Sequence, residues 1–577
     1  MKEFFYSDER SIQMLIYLLK ANNIKRVIVS PGATNVTFVG SIQNDNFFEI
    51  YSCVDERSAA YMACGLAAES GEPVVISCTG ATASRNYVPA LTEAFYRKLP
   101  ILTITSTQTT NRIGHMIPQV IDRSVQFKDI VNLSVQIPAT TNEDEAWSNN
   151  LKLNEAILEL KRHGGGPVHI NLATTYSPNY TVKELPPCRV IKRITAFGEF
   201  PPIPDGRICV FIGNHRLFTD RECKALNSFC KSHNAVVVGD HTSGYKGDYF
   251  VLASLLYKQE NLLNDARVFD LVIHIGEVCG DVTPIPKQVW RVSEDGQIRD
   301  TFRKLTHVFE MPEYLFFEKY STNEENDDSE YYRLKSVMDD LFKDVPELPF
   351  SNTWIAQHTA SKIPSNAVLH LGILNSLRNW DMFETDSSVH GYSNTGGFGI
   401  DGILSTAIGA SLADRNKLIF VVLGDLAFFY DMNALGNRHI GKNIRIMVVN
   451  NGRGTEFTNY NHPGAIFGEQ TSLFIAAGGH YGKQSRELIK NYVSELGFQY
   501  MSADSKDEYN KCIDAFVTPT ISDKPILLEV FTDSKDESDA LERIYHMKSN
   551  IIGRAASCVK SVISPEQKAK LRNLLKL

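Results

Sequence analysis

Two carboxylates and an amide carry most of the chemistry that this chain's residue types and spacing could support. In the run FVVLGDLAFFYDMNALGNRHIGKNIRIMVVNNGRG, a hydrophobic strand ends at Gly424-Asp425, a helix follows, and a second hydrophobic strand ends at Asn450-Asn451. The spacing suits one helix and a return strand, and a right-handed crossover sets the two strand ends side by side. A carboxylate and an amide oxygen so placed are hard ligands for Mg²⁺, which keeps part of its coordination shell for phosphate oxygens and water. Gly424 lets the backbone approach a phosphate, and the N-terminus of the next helix favours that anion. Taken singly, Gly-Asp reads as a strand-end turn and Asn-Asn as a loop. Their pairing on successive strand ends is what points to a metal-bound diphosphate.

The second carboxylate is Glu56, in VDERSAAYMACGLAAESG, where it follows the strand FFEIYSCV and opens a helix of small residues. Asp55 and Glu56 are ordinary first-turn acids if all they do is complement the helix dipole. A desolvated glutamate at the same place can instead share a proton near pH 7. An SPG turn (Ser30-Pro31-Gly32) precedes it and a small-residue loop, CTGATASRN, follows it. Other candidates stand on thinner ground: Glu456, just after the second strand end and next to Phe457; Gln119 in IPQVID; and the histidines His115 and His462. Alone, Gln119 reads as a solvated side chain, Glu456 as half of a surface ion pair, and each histidine as structural.

Such residues need strand ends to hold them, and the sequence offers three sets. Residues 1–181 alternate helical patterns with short β-branched runs (KRVIVS, EPVVIS, LPILTITS, GPVHINLA), as parallel strands buried on both faces do. Residues 182–205 are proline-rich and aperiodic, which predicts a linker. A second alternation over 206–330 (RICVFIG, NAVVVGD, DLVIHIG) closes on the acidic stretch TNEENDDSE. A third fills 331–577, with strands at AVLHLG, KLIFVVLGD, IRIMVVNN and PILLEVF. The expected fold class is therefore α/β, with three doubly wound parallel-sheet domains whose ligands sit beyond the carboxyl ends of the strands. The start, MKEFFYSDERSIQMLIYLLK, reads as an amphipathic helix capped near Ser7 with acids in its first turn, rather than a signal peptide. A net charge of -8 gives no reason to expect nucleic acid or an anionic membrane as partner. Ten cysteines without a CxxC pair argue against a zinc site or disulfide framework and for a reducing cytoplasm.

Together these features resemble the thiamine-diphosphate-dependent enzymes, whose signature is GDG followed one helix and one strand later by NN. The resemblance implies thiamine diphosphate and Mg²⁺ as cofactors, with the metal held by Asp425, the Asn451 side chain and the Arg453 carbonyl. It makes Glu56 the acid that protonates N1′ of the aminopyrimidine. It makes residues 1–181 a pyrimidine-binding domain and 331–577 a diphosphate-binding domain, around a central domain at 206–330. Because that family builds each catalytic site from two subunits, it also implies a homodimer or homotetramer with sites at the interface.

The stretches YSNTGGFGIDGILSTAIGASLAD, GDLAFFYDMNAL, SPGATN and VDERSAAYMACGLA are similar to the branch that joins 2-oxoglutarate to isochorismate in menaquinone synthesis (SEPHCHC synthase). That branch also carries GDL where the wider family has GDG. On this resemblance Ile400 is the wedge that bends the cofactor into a V, and the Phe398 carbonyl accepts from the 4′-amino group. Leu426 and Ala427 lie against the diphosphate, and Gln119 matches the active-site glutamine, with Asn86 nearby.

The resemblance breaks at arginines. The branch's SPGSR, ADRPPE and SNRG become here SPGAT (30–34), STQTTN (106–111) and SNTG (393–396). Arginines are the natural bidentate partners of substrate carboxylates, and Arg112 and Arg378 are near in sequence but displaced. The expected function is therefore a decarboxylating carboligase that uses a small 2-oxo acid such as pyruvate and an acceptor other than isochorismate. A non-oxidative 2-oxo acid decarboxylase is the alternative. An inactive thiamine-binding regulatory subunit would be a third, but Glu56, Asp425 and Asn451 are all present. Glu456, at a position that is apolar in the synthase, is expected to act as a general acid-base or to touch the acceptor.

Overall fold

The computed structural model describes residues 5–260, 266–323 and 326–547. Residues 1–4 of the N-terminal run and 324–325 of the acidic stretch lie outside these. The chain divides into two compact units, Met1–Thr195 with Gly296–Val308, and Ala196–Asp295 with Phe309–Leu577.

The first unit is built on β1 (Arg26–Val29), β2 (Glu49–Ser52), β3 (Val74–Cys78), β4 (Ile101–Gln108), β5 (Leu133–Ile137) and β6 (Val168–Thr174). They form one parallel sheet in the order β2-β1-β3-β4-β6-β5. Because successive side chains in a strand point to opposite faces, the β-branched runs feed two cores. Val27, Val75, Leu102 and Ile170 meet Leu15, Leu19, Phe38 and Leu153 on one side. Ile28, Val74, Ile76 and Ile101 meet Ala59, Ala63, Ala67, Ala90 and Ala94 on the other. Those alanines belong to the helices Glu56–Ser70 and Val88–Tyr96, and their small size lets both helices lie close to the sheet.

The N-terminal helix differs from expectation. It runs Arg10–Ala21 with Glu9 as N-cap, no side-chain cap bond and no acid in its first turn. The Glu9 carboxylate instead accepts from Thr174 Oγ1 and from the N–H groups of Thr175 and Ser177, tying the chain start to the end of β6. Ser7 donates its N–H to Ser41 Oγ. The stretch expected to be a linker contains a short strand, β7 (Lys192–Thr195).

In the second unit, β8 (Ile208–Ile212), β9 (Val236–Gly239), β10 (Phe250–Val251), β11 (Val268–Ile275) and β12 (Ile285–Ser293) pair in parallel as β10-β9-β8-β11-β12. After β13 (Leu305–Glu310) come β14 (Val368–Leu371), β15 (His390–Tyr392), β16 (Ile419–Gly424), β17 (Ile444–Asn450), β18 (Gln499–Ala503) and β19 (Ile526–Phe531). These last six form a parallel sheet in the order β15-β14-β16-β17-β19-β18, the same winding as the first unit's sheet. The α/β class with three parallel sheets is therefore as the sequence pattern predicts. In the last sheet the winding reverses between β14 and β16, and the crevice outside the carboxyl ends at such a reversal is where ligands bind in open α/β sheets.

Candidate functional site

The carboxyl edge of that last sheet gathers the metal-binding candidates. Pairing of β16 with β17 sets Gly424 opposite Val449, so Asp425 and Asn450-Asn451 leave neighbouring strand ends. Asp425 is 4% exposed, and its carboxylate faces the backbone N–H groups of Leu426, Asn451 and Gly452. Burial pushes its pKa up to about 7, because desolvation outweighs the pull of those N–H groups. The Oδ1 atoms of Asn450 and Asn451 are both buried without a protein hydrogen-bond partner. The Arg453 carbonyl accepts from Thr455 N–H at 3.0 Å, and a carbonyl oxygen has a second lone pair. Among the described residues no group of three or more His, Cys, Asp or Glu is placed to hold a metal. A carboxylate, an amide and a carbonyl give instead the all-oxygen donor set that suits Mg²⁺, so these residues fit the ion.

The space for a diphosphate fits as well. A Cβ built on Gly424 would meet nothing nearer than the Val449 carbonyl at 4.0 Å. Leu426 and Ala427 stand in the first turn of the following helix, which is short (Asp425–Asp431) and tightens into a 3₁₀ turn at Met432–Gly436. Beyond β15, the loop over 393–402 with Asn214, Glu277 and Val278 lines a cleft of about 710 Å³, in the range of cofactor pockets. Phe398 is held at φ 53°, an uncommon conformation for an aromatic residue and one that recurs at functional sites. A Cβ on Gly399 would fall 2.4 Å from Asp401 Oδ1. Ile400 is half-buried and packs against the sheet's core.

In the first unit, the Asp55 side chain caps the helix by accepting Ser58 N–H at 2.7 Å. Glu56 is thereby free for other work. Its Oε2 accepts from Asn86 Nδ2 at 3.4 Å. Gln119 sits at φ 63°, with its Oε1 only 2.5 Å from where a Gly80 Cβ would be. The loop leaving β3 thus touches both residues, Asn86 meeting Glu56 and Gly80 meeting Gln119. His115 is exposed.

Glu456 is not a free carboxylate. Its Oε1 accepts from Arg378 Nη1 at 2.5 Å, and Asn375 donates to Oε2 at 2.6 Å while accepting the Glu456 N–H at 3.1 Å. Asn375 and Arg378 come from the helix that follows β14, so one displaced arginine finds its partner here. His462 is a cap, accepting Gly464 N–H at 2.9 Å, which leaves it in the structural role. The three positions without arginine hold neutral side chains tied into the fold. Thr34 bonds Thr79 Oγ1 and donates to the Ser106 carbonyl at 3.1 Å. Thr395 Oγ1 accepts from Asn214 Nδ2 at 3.1 Å. Gln108 Oε1 accepts from Arg112 Nη1 at 2.5 Å.

Asn375, Glu529 and Glu537 went unremarked in the sequence. Glu529 accepts from Asn450 Nδ2 at 2.7 Å, and the Glu537 carboxylate faces the Asn451 side chain. The only sequence signal was a lone acid inside the apolar run PILLEVF. No described helix is long and apolar enough to cross a membrane.

Residues 10–126 match a family described as thiamine pyrophosphate enzyme, N-terminal TPP binding domain. The 2-succinyl-5-enolpyruvyl-6-hydroxy-3-cyclohexene-1-carboxylate synthase of Bacteroides fragilis is 31% identical over 569 residues, covering 94% of this chain and 100% of its own length. That of Phocaeicola vulgatus is 32% identical over 572 residues, with 94% and 99% covered. That of Flavobacterium johnsoniae is 28% identical over 563 residues, with 92% and 98% covered.

Proposed function

The chain belongs to the thiamine pyrophosphate enzymes, in the family of the 2-succinyl-5-enolpyruvyl-6-hydroxy-3-cyclohexene-1-carboxylate synthases, and from that premise we propose that it is a decarboxylating carboligase. Its donor is a small 2-oxo acid such as pyruvate, and its acceptor is not isochorismate. The observation that carries the thiamine-diphosphate part is the desolvated Asp425 carboxylate between the backbone of Leu426 and that of Asn451 and Gly452. Asp425, Asn451 Oδ1 and the Arg453 carbonyl would hold Mg²⁺, and Gly424, Leu426 and Ala427 would border the diphosphate. When bound, thiamine diphosphate supplies the carbon nucleophile for the 2-oxo carbon and the electron sink for loss of CO₂. Glu56 would hold the proton at N1′, the Phe398 carbonyl would accept from the 4′-amino group, and Ile400 would lie against the cofactor. Gln119 and Glu456 would serve the substrate beside it.

Residues 1–181, 206–330 and 331–577 are the pyrimidine, central and diphosphate domains in this reading, with 182–205 joining the first two. Each site takes Glu56 from one subunit and the diphosphate machinery from another. Large exposed apolar side chains support such pairing: Val54 and Tyr61 at the Glu56 helix, Met116 and Val125 between β4 and β5, and Ile466 and Phe474 after the metal loop.

The neutral side chains at Thr34 and Thr395, where the relatives' motifs have arginine, support the substrate assignment, since a buried charge without its partner costs about 3–5 kcal/mol. One observation favours the relatives' own substrates instead. Arg112, bonded to Gln108, brings a guanidinium to one of the three positions. Purified enzyme incubated with isochorismate and 2-oxoglutarate, or with pyruvate and an aldehyde, separates the two. CO₂ release and a ligated product from pyruvate are expected, with no turnover of the first pair. Rapid turnover of isochorismate would overturn the assignment, and CO₂ release with only free aldehyde as product would make the enzyme a simple decarboxylase. Glu456→Gln, measured with the substrate so found, is expected to lower kcat at least about tenfold. A change under about twofold would remove Glu456 from the mechanism and leave it as the partner of Arg378.

A further inference from the structure

An ionised carboxylate only accepts hydrogen bonds, and two carboxylates stand behind the Asn450-Asn451 pair. Glu529, in the middle of β19, is fully buried. Its Oε1 accepts from Asn450 Nδ2 at 2.7 Å and its Oε2 from the Tyr500 hydroxyl at 2.8 Å. Glu537 lies on the helix Ser534–Tyr545 and is 4% exposed. It accepts from Thr532 Oγ1 at 2.7 Å and from Asn352 N–H at 3.0 Å, and its carboxylate faces the Asn451 side chain. Among the described residues neither carboxylate makes an ion pair. Burying such groups is costly, and leucine or glutamine would fill similar volumes at less expense.

What the carboxylates do is visible on the other end of each amide. The Oδ1 atoms of Asn450 and Asn451 are both buried and without a protein partner. Turning either amide over would set its oxygen against a carboxylate oxygen and strand its NH₂ group where a cation belongs. We infer that Glu537 is a positioning residue that locks the amide of Asn451 so that oxygen and not nitrogen faces the metal site, with Glu529 holding the neighbouring Asn450 amide beside it. The inference rests on the reading of Asp425 and Asn451 as Mg²⁺ ligands. An amide nitrogen has no lone pair to offer a hard cation, so a site built on asparagine needs such a lock, and partners behind metal ligands commonly set affinity in this way.

The test is Mg²⁺ titration by calorimetry, in the presence of thiamine diphosphate, of the wild type, Glu537→Gln, Asn451→Ala and the double variant. Glu537→Gln is expected to weaken Mg²⁺ binding about 10–100-fold, with kcat recovered as Mg²⁺ is raised to saturation. The double variant should bind Mg²⁺ no more weakly than Asn451→Ala alone, because the glutamate acts only through that amide. A residue that merely supports the fold would lower thermal stability and leave the affinity of the folded protein unchanged. Should Glu537→Gln fail to fold, Glu537→Asp, which draws the carboxylate back from the amide but keeps its charge, carries the same decision against Asn451→Ala. Mg²⁺ affinity within about twofold of wild type, or losses that multiply in the double variant, would overturn the inference alone. A wild type that takes up no Mg²⁺ with the coenzyme would overturn the cofactor reading and this inference with it.

Discussion

Glu56→Gln is expected to abolish most turnover while leaving coenzyme binding intact. The glutamine keeps the shape of the side chain and can still meet Asn86, whose Nδ2 now donates to Glu56 Oε2. It cannot share a proton with a ring nitrogen. A positioned acid-base group contributes about 10²–10⁴ in rate, so kcat should fall by that factor with any 2-oxo acid the enzyme accepts. Calorimetry should find thiamine diphosphate bound to the variant about as tightly as to the wild type, since the proposed diphosphate site is at Asp425 and Asn451. Loss of binding in step with loss of rate would make Glu56 a structural helix-start acid, the ordinary role of such residues. A decrease in kcat of less than about tenfold would leave another residue to move the proton.

The second large effect is expected at Asp425. Replacing it by alanine removes the one charged ligand of the proposed metal site and strands the N–H groups of Leu426, Asn451 and Gly452 that now point at its carboxylate. Losing a partner that only orients a ligand already costs about 10–100-fold in metal affinity, so loss of the ligand itself should cost at least about a hundredfold. The consequence is measurable without substrate. At a concentration of about one hundred times Kd, a ligand stabilises the folded protein by about 2.7 kcal/mol, so wild-type protein should melt about 2 °C higher with Mg²⁺ and thiamine diphosphate present. Asp425→Ala should show no such shift at the same concentrations. An unchanged shift would place the coenzyme elsewhere.

The legibility of these sites in the amino-acid sequence follows the range of the interactions that build them. The parallel strands were legible because burial on both faces leaves long β-branched runs, as in KLIFVVLGD and IRIMVVNN. The spacing of Asp425 and Asn451 could be converted into proximity because a crossover has one hand, and the paired β16 and β17 carry it out. Edge strands were harder. β5 and β18 occupy the same outer position in their sheets and mix polar residues into short runs, LSVQI and QYMSA. β12 hid behind a proline and a lysine in IPKQVWRVS.

Partnerships between distant side chains were not legible at all. Nothing local ties Glu456 to Arg378, 78 positions earlier, or Asn450 to Glu529, 79 positions later. Each pair meets only because the sheet order brings the ends of β14, β16, β17 and β19 to one edge. The N-terminal cap was misread for a related reason. Glu9 is drawn away from its helix by the hydroxyl and amides at 174–177, a competition that arises only in the folded chain.

The proposed chemistry requires first that Mg²⁺ and thiamine diphosphate enter the pocket at Asp425 and Asn451, and titration calorimetry of the wild-type chain measures that directly. The predicted result is uptake of one coenzyme per chain only when Mg²⁺ is present, lost in Asp425→Ala and kept in Glu56→Gln. No heat and no saturation in the wild type, or binding indifferent to both Mg²⁺ and Asp425, would contradict it.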